Sequence, residues 1–245
     1  MKALELIRLG SDPSAPFPPA AMALDEPNGL LAVGGDLHPH RVLNAYRQGI
    51  FPWYSAGQPI LWWSPDPRTV FSTDRFRLSR RDRRSLRASG WRLRADADFR
   101  EVIDTCARIP RPGQHGTWIT PAVRSAFMAL HRIGHAHSIE VHDDDGLVGG
   151  LYGLAIGRMF FAESMFSLRS GGSKAALAGL ARLLAEWQWP LIDAQVENDH
   201  LLRLGAETLP RESFLAELTS LCQLPEPPCT WRERVGEPTL ADLLA

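Results

Sequence analysis

Glu163, Asp193 and Gln195 stand in two apolar runs of the stretch from Phe160 to Ala206. Glu163 stands among Phe160, Phe161, Met165 and Phe166, and Asp193 and Gln195 sit two apart in the run Leu191 to Val196. Residues two apart on a strand face the same way. Asp193 and Gln195 are therefore expected on one face, and Ile192 and Val196 on the other. Two polar side chains on a buried strand need a partner or a substrate, because unpaired burial is costly. The bland alternative is a pair that ties the strand end to a neighbouring loop, and spacing alone leaves both readings open.

Two further stretches carry chemical potential. Arg75 to Arg87 holds seven arginines and one carboxylate, Asp82. Such a run is usually a solvated face. Here the rest of the chain is net acidic, so positive potential is concentrated, and the planar guanidinium fork suits phosphate. Arg80, Arg81 and Arg84 are read as a phosphate-tracking patch that contacts a backbone rather than base edges. Ile50 to Trp63 is dense in aromatics: Phe51, Trp53, Tyr54, Trp62 and Trp63. It is either the core of a small domain or a platform on which a base stacks. His131, His135 and His137 are expected on different elements, which disfavours a metal site.

The elements that must position these residues follow from pattern. Leu177, Leu180, Ala181, Leu184 and Trp187 recur at helical spacing, with Ser173 as N-cap and Pro190 as the stop. Ahead of that helix, strands are expected at 136–142, 147–156 and 159–166, with a hairpin turn at Asp143 to Gly146. Gly149, Gly150 and Gly153 weaken the second strand, so either a ligand's close approach or a bulge should explain them. Earlier helices are expected from Pro39 to Arg47, from Asp98 to Ala107, and after the Thr120 cap with Pro121 at its first position. Short helices are expected at 200–204, 210–221 and 240–244, and a first strand at 3–9. Pro65 to Arg68 marks a boundary between a small domain, 1–70, and a larger one, 71–245. The order of strands and helices gives an α/β fold with a mixed sheet.

Length and composition bound the rest. The chain has 245 residues, 44% of them hydrophobic, and a formal net charge of −1. Nucleic-acid binding would therefore need a local patch. The N-terminus lacks an unbroken apolar stretch of the signal-peptide kind, and the most apolar run, Leu147 to Phe161, is too short to span a bilayer. Cys106, Cys222 and Cys229 have no metal or disulfide spacing. A cytoplasmic, membrane-free protein is expected. No G-x-G-x-x-G opens a helix, which disfavours a dinucleotide site.

The runs ESMFS, SK, LIDAQ and HLLRLGA resemble those of the leucyl/phenylalanyl-tRNA–protein transferases. So do FPP, PNGLLAVGGDL, AYRQGIFPWYS, WWSPDPR, GTWIT, HAHSIEV, LVGGLYG and PRESFL, in the same order from Phe17 to Leu215. The resemblance implies a small N-terminal domain and a larger domain of the N-acetyltransferase-like (GNAT) fold. It implies transfer of leucine or phenylalanine from leucyl-tRNA or phenylalanyl-tRNA to proteins with N-terminal arginine or lysine. Such transfer marks them for N-end rule degradation. It implies a monomer and no cofactor, the ester being already activated. Asp193 and Gln195 would act as a relay on the attacking amine, with the glutamine NH₂ able to donate to the aspartate. Glu163 would hold the acceptor's cation or, in the bland reading, pair with an arginine such as Arg169. Leu151, Phe160, Met165, Leu177 and Ile192 would enclose the aminoacyl side chain, and Tyr46, Trp53 and Trp118 would contact the terminal adenosine. Ala194 departs from a usual cysteine. The competing enzyme class is an acyl-CoA-dependent N-acyltransferase, since Arg169 to Ala175 opens a helix and helix N-termini bind phosphates. A non-enzymatic RNA-binding protein would leave Asp193 and Gln195 without a role.

Overall fold

A computed structural model describes residues 6–110, 116–225 and 230–245. Cys229, most of the loop expected at 110–116 and the first residues of the strand expected from Ala3 lie outside the described residues. The N-terminal elements are β1 (Ile7–Leu9), β2 (Leu30–Gly34), α1 (Pro39–Arg47), β3 (Phe51–Pro52) and β4 (Leu61–Trp63). Then come β5 (Arg68–Ser72), α2 (Arg80–Arg87), β6 (Arg92–Ala95), α3 (Phe99–Arg108), α4 (Pro121–Arg132), β7 (Ala136–Asp143), β8 (Gly146–Ile156) and β9 (Met159–Ser167). The chain ends in α5 (Gly172–Glu186), β10 (Leu191–Gln195), α6 (Asp199–Arg203), β11 (Glu207–Leu209), α7 (Arg211–Cys222), α8 (Trp231–Val235) and α9 (Leu240–Leu243).

Among the described residues, the strands make two sheets. A four-stranded sheet, β1-β2-β4-β3, builds the small N-terminal part, and a seven-stranded sheet, β11-β5-β10-β9-β8-β7-β6, builds the rest. The larger sheet is antiparallel except where β9 and β10 run parallel, joined by the α5 crossover. Parallel neighbours need such a crossover. Because β5 belongs to the larger sheet, Arg68 to Val70 join it rather than the small unit that the boundary at residue 70 assigned them to.

Period-two alternation explains the layering. Val70, Phe161 and Leu191 enter a core shared with α3, α4 and the N-terminal sheet. Their neighbours Phe71, Phe160 and Ile192 enter a second core beneath α5, with α8 and α9. Helix α5 is apolar nearly all round, with Ala175 to Ala181, Leu183 and Leu184 buried, as a central crossover requires. Its N-cap is Gly171, in a left-handed conformation, not Ser173, whose N–H instead donates to Ser167 Oγ at 2.8 Å. It ends at Glu186, before Pro190 is reached. The cap expected at Thr120 accepts from Val123 N, and Asp98, expected as the first residue of α3, is instead its N-cap and accepts from Glu101 N.

The strand glycines answer to packing within the chain. A Cβ on Gly149 would lie 2.5 Å from the Gly172 backbone, and one on Gly153 would lie 2.2 Å from Phe161 O. Gly149→Ala is expected to push the start of α5 off the sheet and to destabilise the protein by about 1–3 kcal/mol, the usual cost of overpacking. Urea unfolding followed by circular dichroism would read it, and an unchanged midpoint would refute it. Among the described residues, no helix is long and apolar enough to cross a membrane.

Candidate active site

The parallel pairing of β9 with β10 stops at Phe161 and Asp193. Both strands carry a bulge just beyond that point. On β9, Tyr152 pairs with Ser164 and Gly153 with Ala162, so Glu163 is the extra residue. On β10, Asp193 pairs with Val70 and Gln195 with Thr69, so Ala194 is the extra residue. Bulges bend a strand and re-aim side chains. Here two adjoining bulges leave a cleft of about 520 Å³ between the splayed strand ends.

Glu163 and Gln195 line that cleft. Gln195 Nε2 and Tyr46 Oη both donate to Glu163 Oε1, at 2.8 and 2.7 Å. Among the described residues, no donor reaches Glu163 Oε2. Burial lifts the Glu163 carboxyl to about 8, the charge of Asp193 adding to it and the two donated bonds opposing it. Burial and the neighbouring Glu163 likewise hold the Tyr46 hydroxyl well above its ordinary value, so it serves as a donor. Tyr46 is fully buried and reaches the site only through this hydroxyl.

Asp193 is placed differently from the pairing expected of it. It is 0% exposed, and its carboxylate faces Arg68, which is 1% exposed. Arg68 Nε donates to Oδ1 at 2.8 Å and Nη2 to Oδ2 at 2.6 Å. Gln195 donates to Asp193 through its backbone N–H, at 2.9 Å, while its side-chain NH₂ goes to Glu163. Gln195 has φ of 64°, left-handed for a non-glycine residue, at a cost of about 1–2 kcal/mol. The extra residue Ala194 is the reason that simple alternation fails here. No sequence pattern flagged Arg68, although an arginine opening an apolar strand already demands a buried partner.

The remaining site residues divide by position. Leu151, Met165 and Leu177 line the cleft, as do Trp53 and Trp118. Phe160 and Ile192, expected with them, are wholly buried in the core behind it, because they sit on the strand face turned toward α5. Trp53, 43% exposed, directly follows β3 of the small sheet, and Trp118 comes from the segment before α4. Arg169 pairs with Asp143 and Asp145, not with Glu163. His200, at the cleft wall, has its imidazole held below the ordinary value by burial and by Arg203 and Lys174.

Arg80, Arg81 and Arg84 lie outside the cleft on α2, exposed and without an ion-pair partner among the described residues. Asp82, the one carboxylate of the run, is taken by Lys174 at 2.8 Å. That pair ties α2 to the first turn of α5, where Ser173 lines the cleft. The three histidines have structural partners: His131 stacks on Phe99, His135 meets Ala155 O, and His137 meets Asp96 and stacks on Trp231.

Comparison with known proteins identifies a family for the chain. The family described as leucyl/phenylalanyl-tRNA protein transferase matches residues 70–219, and its N-terminal domain matches residues 35–66. A leucyl/phenylalanyl-tRNA–protein transferase of Xanthomonas euvesicatoria pv. vesicatoria is 66% identical over 94% of this chain and 92% of its own length. Those of Xanthomonas oryzae pv. oryzae and Xylella fastidiosa are 63% identical over 97% and 95%, and 60% identical over 96% and 97%. Solved structures are more distant. A conserved Staphylococcus epidermidis protein of unknown function overlaps 59% of this chain and 57% of its own at 10% identity, with a TM-score of 0.40. L-PGS from Bacillus licheniformis overlaps 56% of this chain and 49% of its own at 14% identity and a TM-score of 0.35. On the strength of the family match and the close relatives, the chain is a transferase belonging to the leucyl/phenylalanyl-tRNA–protein transferase family.

Proposed function

We propose that this enzyme moves leucine or phenylalanine from its tRNA to the α-amino group of proteins beginning with arginine or lysine. It acts as a cytoplasmic monomer within N-end rule degradation, and its larger sheet with α5 is a GNAT-type acyltransferase domain. The observation that carries the reading is the cleft itself, where an apolar pocket, two tryptophans and a carboxylate–amide pair meet. Leu151, Met165 and Leu177 take the aminoacyl side chain, and methionine adapts to either shape. Trp53 and Trp118 take the terminal adenine. Phosphates beyond it run onto α2, toward Arg80, Arg81 and Arg84.

The chemistry needs a neutral, aimed amine. Its nitrogen attacks the ester carbonyl, an amide bond forms, and the carbon–oxygen bond to the ribose breaks with a proton going to the departing hydroxyl. Gln195, its NH₂ engaged by Glu163, presents its carbonyl oxygen to an amine N–H and so orients the lone pair. Glu163 Oε2 meets the acceptor's cationic side chain. The acyl-CoA reading is less well supported. The N–H groups of Gly172, Ser173 and Ala175 at the α5 start already donate to Arg169 O, Ser167 Oγ and Gly171 O, leaving few donors for a pyrophosphate.

Purified enzyme given an arginine-initiated peptide with leucyl-tRNA, phenylalanyl-tRNA or acetyl-CoA is expected to form a new peptide bond with the first two and no acetyl amide. Gln195→Ala is expected to slow transfer at least about tenfold with donor affinity unchanged. Acetylation without aminoacyl transfer would overturn the reading.

A further inference from the structure

We propose that Arg68 is a positioning residue for the transfer reaction, acting through Asp193. The pair holds Gln195 in its left-handed conformation, and Asp193 takes no proton from the amine. The inference rests on the aminoacyl-transfer reading of the cleft.

Asp193 has little capacity left for a relay. Oδ1 accepts from Arg68 Nε and from the Gln195 N–H, and Oδ2 accepts from Arg68 Nη2. The carboxylate is wholly buried and does not line the cleft. The Gln195 side chain, which would have to carry a proton to it, is turned the other way, toward Glu163. What Asp193 does offer is a fixed acceptor for one backbone N–H. That N–H belongs to a residue in a conformation that persists only where the surroundings impose it.

Arg68 is the surrounding that imposes it. Its third donor, Nη1, binds Gly49 O at 2.9 Å. The rings of Phe51 and Phe214 face its guanidinium carbon at 4.8 and 4.7 Å. Phe51 is itself part of the cleft wall. One guanidinium thus joins the turn after α1, the wall strand β3, helix α7 and the bulge of β10. A bidentate fork fixes the carboxylate plane as well as its distance, which a point charge would not do. Displacing Arg68 therefore frees Gln195 to leave its bond with Glu163, and the amine loses its guide.

The test compares wild type with Arg68→Lys, Arg68→Met, Asp193→Asn and the double variant Arg68→Met/Asp193→Asn. The double variant removes both charges together and keeps the proposal testable if Arg68→Met does not fold. Three quantities are read: transfer from leucyl-tRNA to an arginine-initiated peptide between pH 6 and 9, donor affinity, and amide hydrogen exchange at Gln195. Arg68→Met, or the double variant, is expected to lower kcat about a hundredfold at unchanged donor affinity, with faster exchange at Gln195. Arg68→Lys, which keeps the charge but not the fork, is expected to recover part of both. Asp193→Asn sets an NH₂ against Arg68 and is expected to be slowed only as far as its Gln195 exchange is raised, with the wild-type pH profile. Asp193→Asn that loses transfer more than a thousandfold while Gln195 stays protected would make Asp193 a proton carrier and overturn the proposal. So would a double variant with an unprotected Gln195 and wild-type kcat. A wild-type enzyme without aminoacyl transfer would sink the functional reading instead, and unchanged Gln195 exchange in Arg68→Met would still refute the pair's role.

Discussion

Glu163→Gln is expected to lower kcat/KM for a peptide beginning with arginine by about a hundredfold, the scale on which a desolvated charge pair loses one partner. Glutamine keeps the shape of the side chain and can still accept from Tyr46 and Gln195, so the cleft should stay formed. What disappears is the charge proposed to meet the acceptor's guanidinium. A peptide beginning with citrulline, the neutral isostere, should be poor with wild type and little altered by the substitution. The ratio of the two peptides is therefore the quantity to measure. A ratio unchanged by Glu163→Gln would remove this carboxylate from the acceptor site.

The same residue sets two pH dependences of opposite sign. Its carboxyl titrates at about 8 in the folded chain against an ordinary 4.5, burial being the main cause. Below about 8 the free enzyme holds a neutral acid, and binding a cation must expel its proton. KM for the arginine peptide should therefore fall as pH rises toward 8, by up to about tenfold per unit, and then level off. The citrulline peptide shares the titration of the α-amine but not that of Glu163, and is the control. Stability runs the opposite way. Between 4.5 and 8 the folded state retains a proton that the unfolded chain has lost, so the contribution of Glu163 is full below 4.5, declines through that window and is gone above 8. Relative to wild type, Glu163→Gln should gain nothing at about pH 4 and a few kcal/mol at most above about pH 8.

The parts of the molecule legible in its sequence are those governed by local rules. Pro39, Asp98, Thr120 and Pro121 start helices because their backbone and side chains suit first turns, and the structure has them there. The apolar repeat of α5 and the hairpin at Asp143 to Gly146 follow from periods of 3.6 and 2. The site is legible as a set of residues and not as a wiring diagram. Glu163 and Gln195 meet only because each lies at a bulge, and a bulge is a mismatch between two strands that neither strand encodes alone. Tyr46 is expected, from the family resemblance, to contact the adenosine, yet 117 residues of separation in sequence end in a hydroxyl bond to Glu163. Arg68 gives no local signal of its role because its partner is 125 residues away. Helix α2 is hidden by composition: its eight residues include five arginines, and only Ser79 as N-cap and Leu86 as buried anchor mark it as a helix.

That helix carries the largest effect expected on donor binding. Replacing Arg80, Arg81 and Arg84 together by alanine should weaken tRNA binding about a hundredfold at about 50 mM salt. It should also lower the slope of log affinity against log salt by about 0.9 for each phosphate left unneutralised. With three such phosphates, the gap between variant and wild type should narrow by about fortyfold between about 50 and 200 mM salt. The choice of residues follows from the structure. Arg75 is engaged by Glu207, and Arg83 by the carbonyls of Leu244 and Ala245, so their removal would disturb the fold as well. Arg80, Arg81 and Arg84 are exposed, and alanine at each favours the helix. Because α2 lies beyond the cleft, a short aminoacyl-adenosine donor should be used by the triple variant at nearly the wild-type rate. Filter binding across a salt series, set beside transfer from the short donor, separates the outcomes. A wild-type salt slope in the triple variant would mean that these arginines face only water, and equal loss with both donors would mean that the substitutions damaged the cleft.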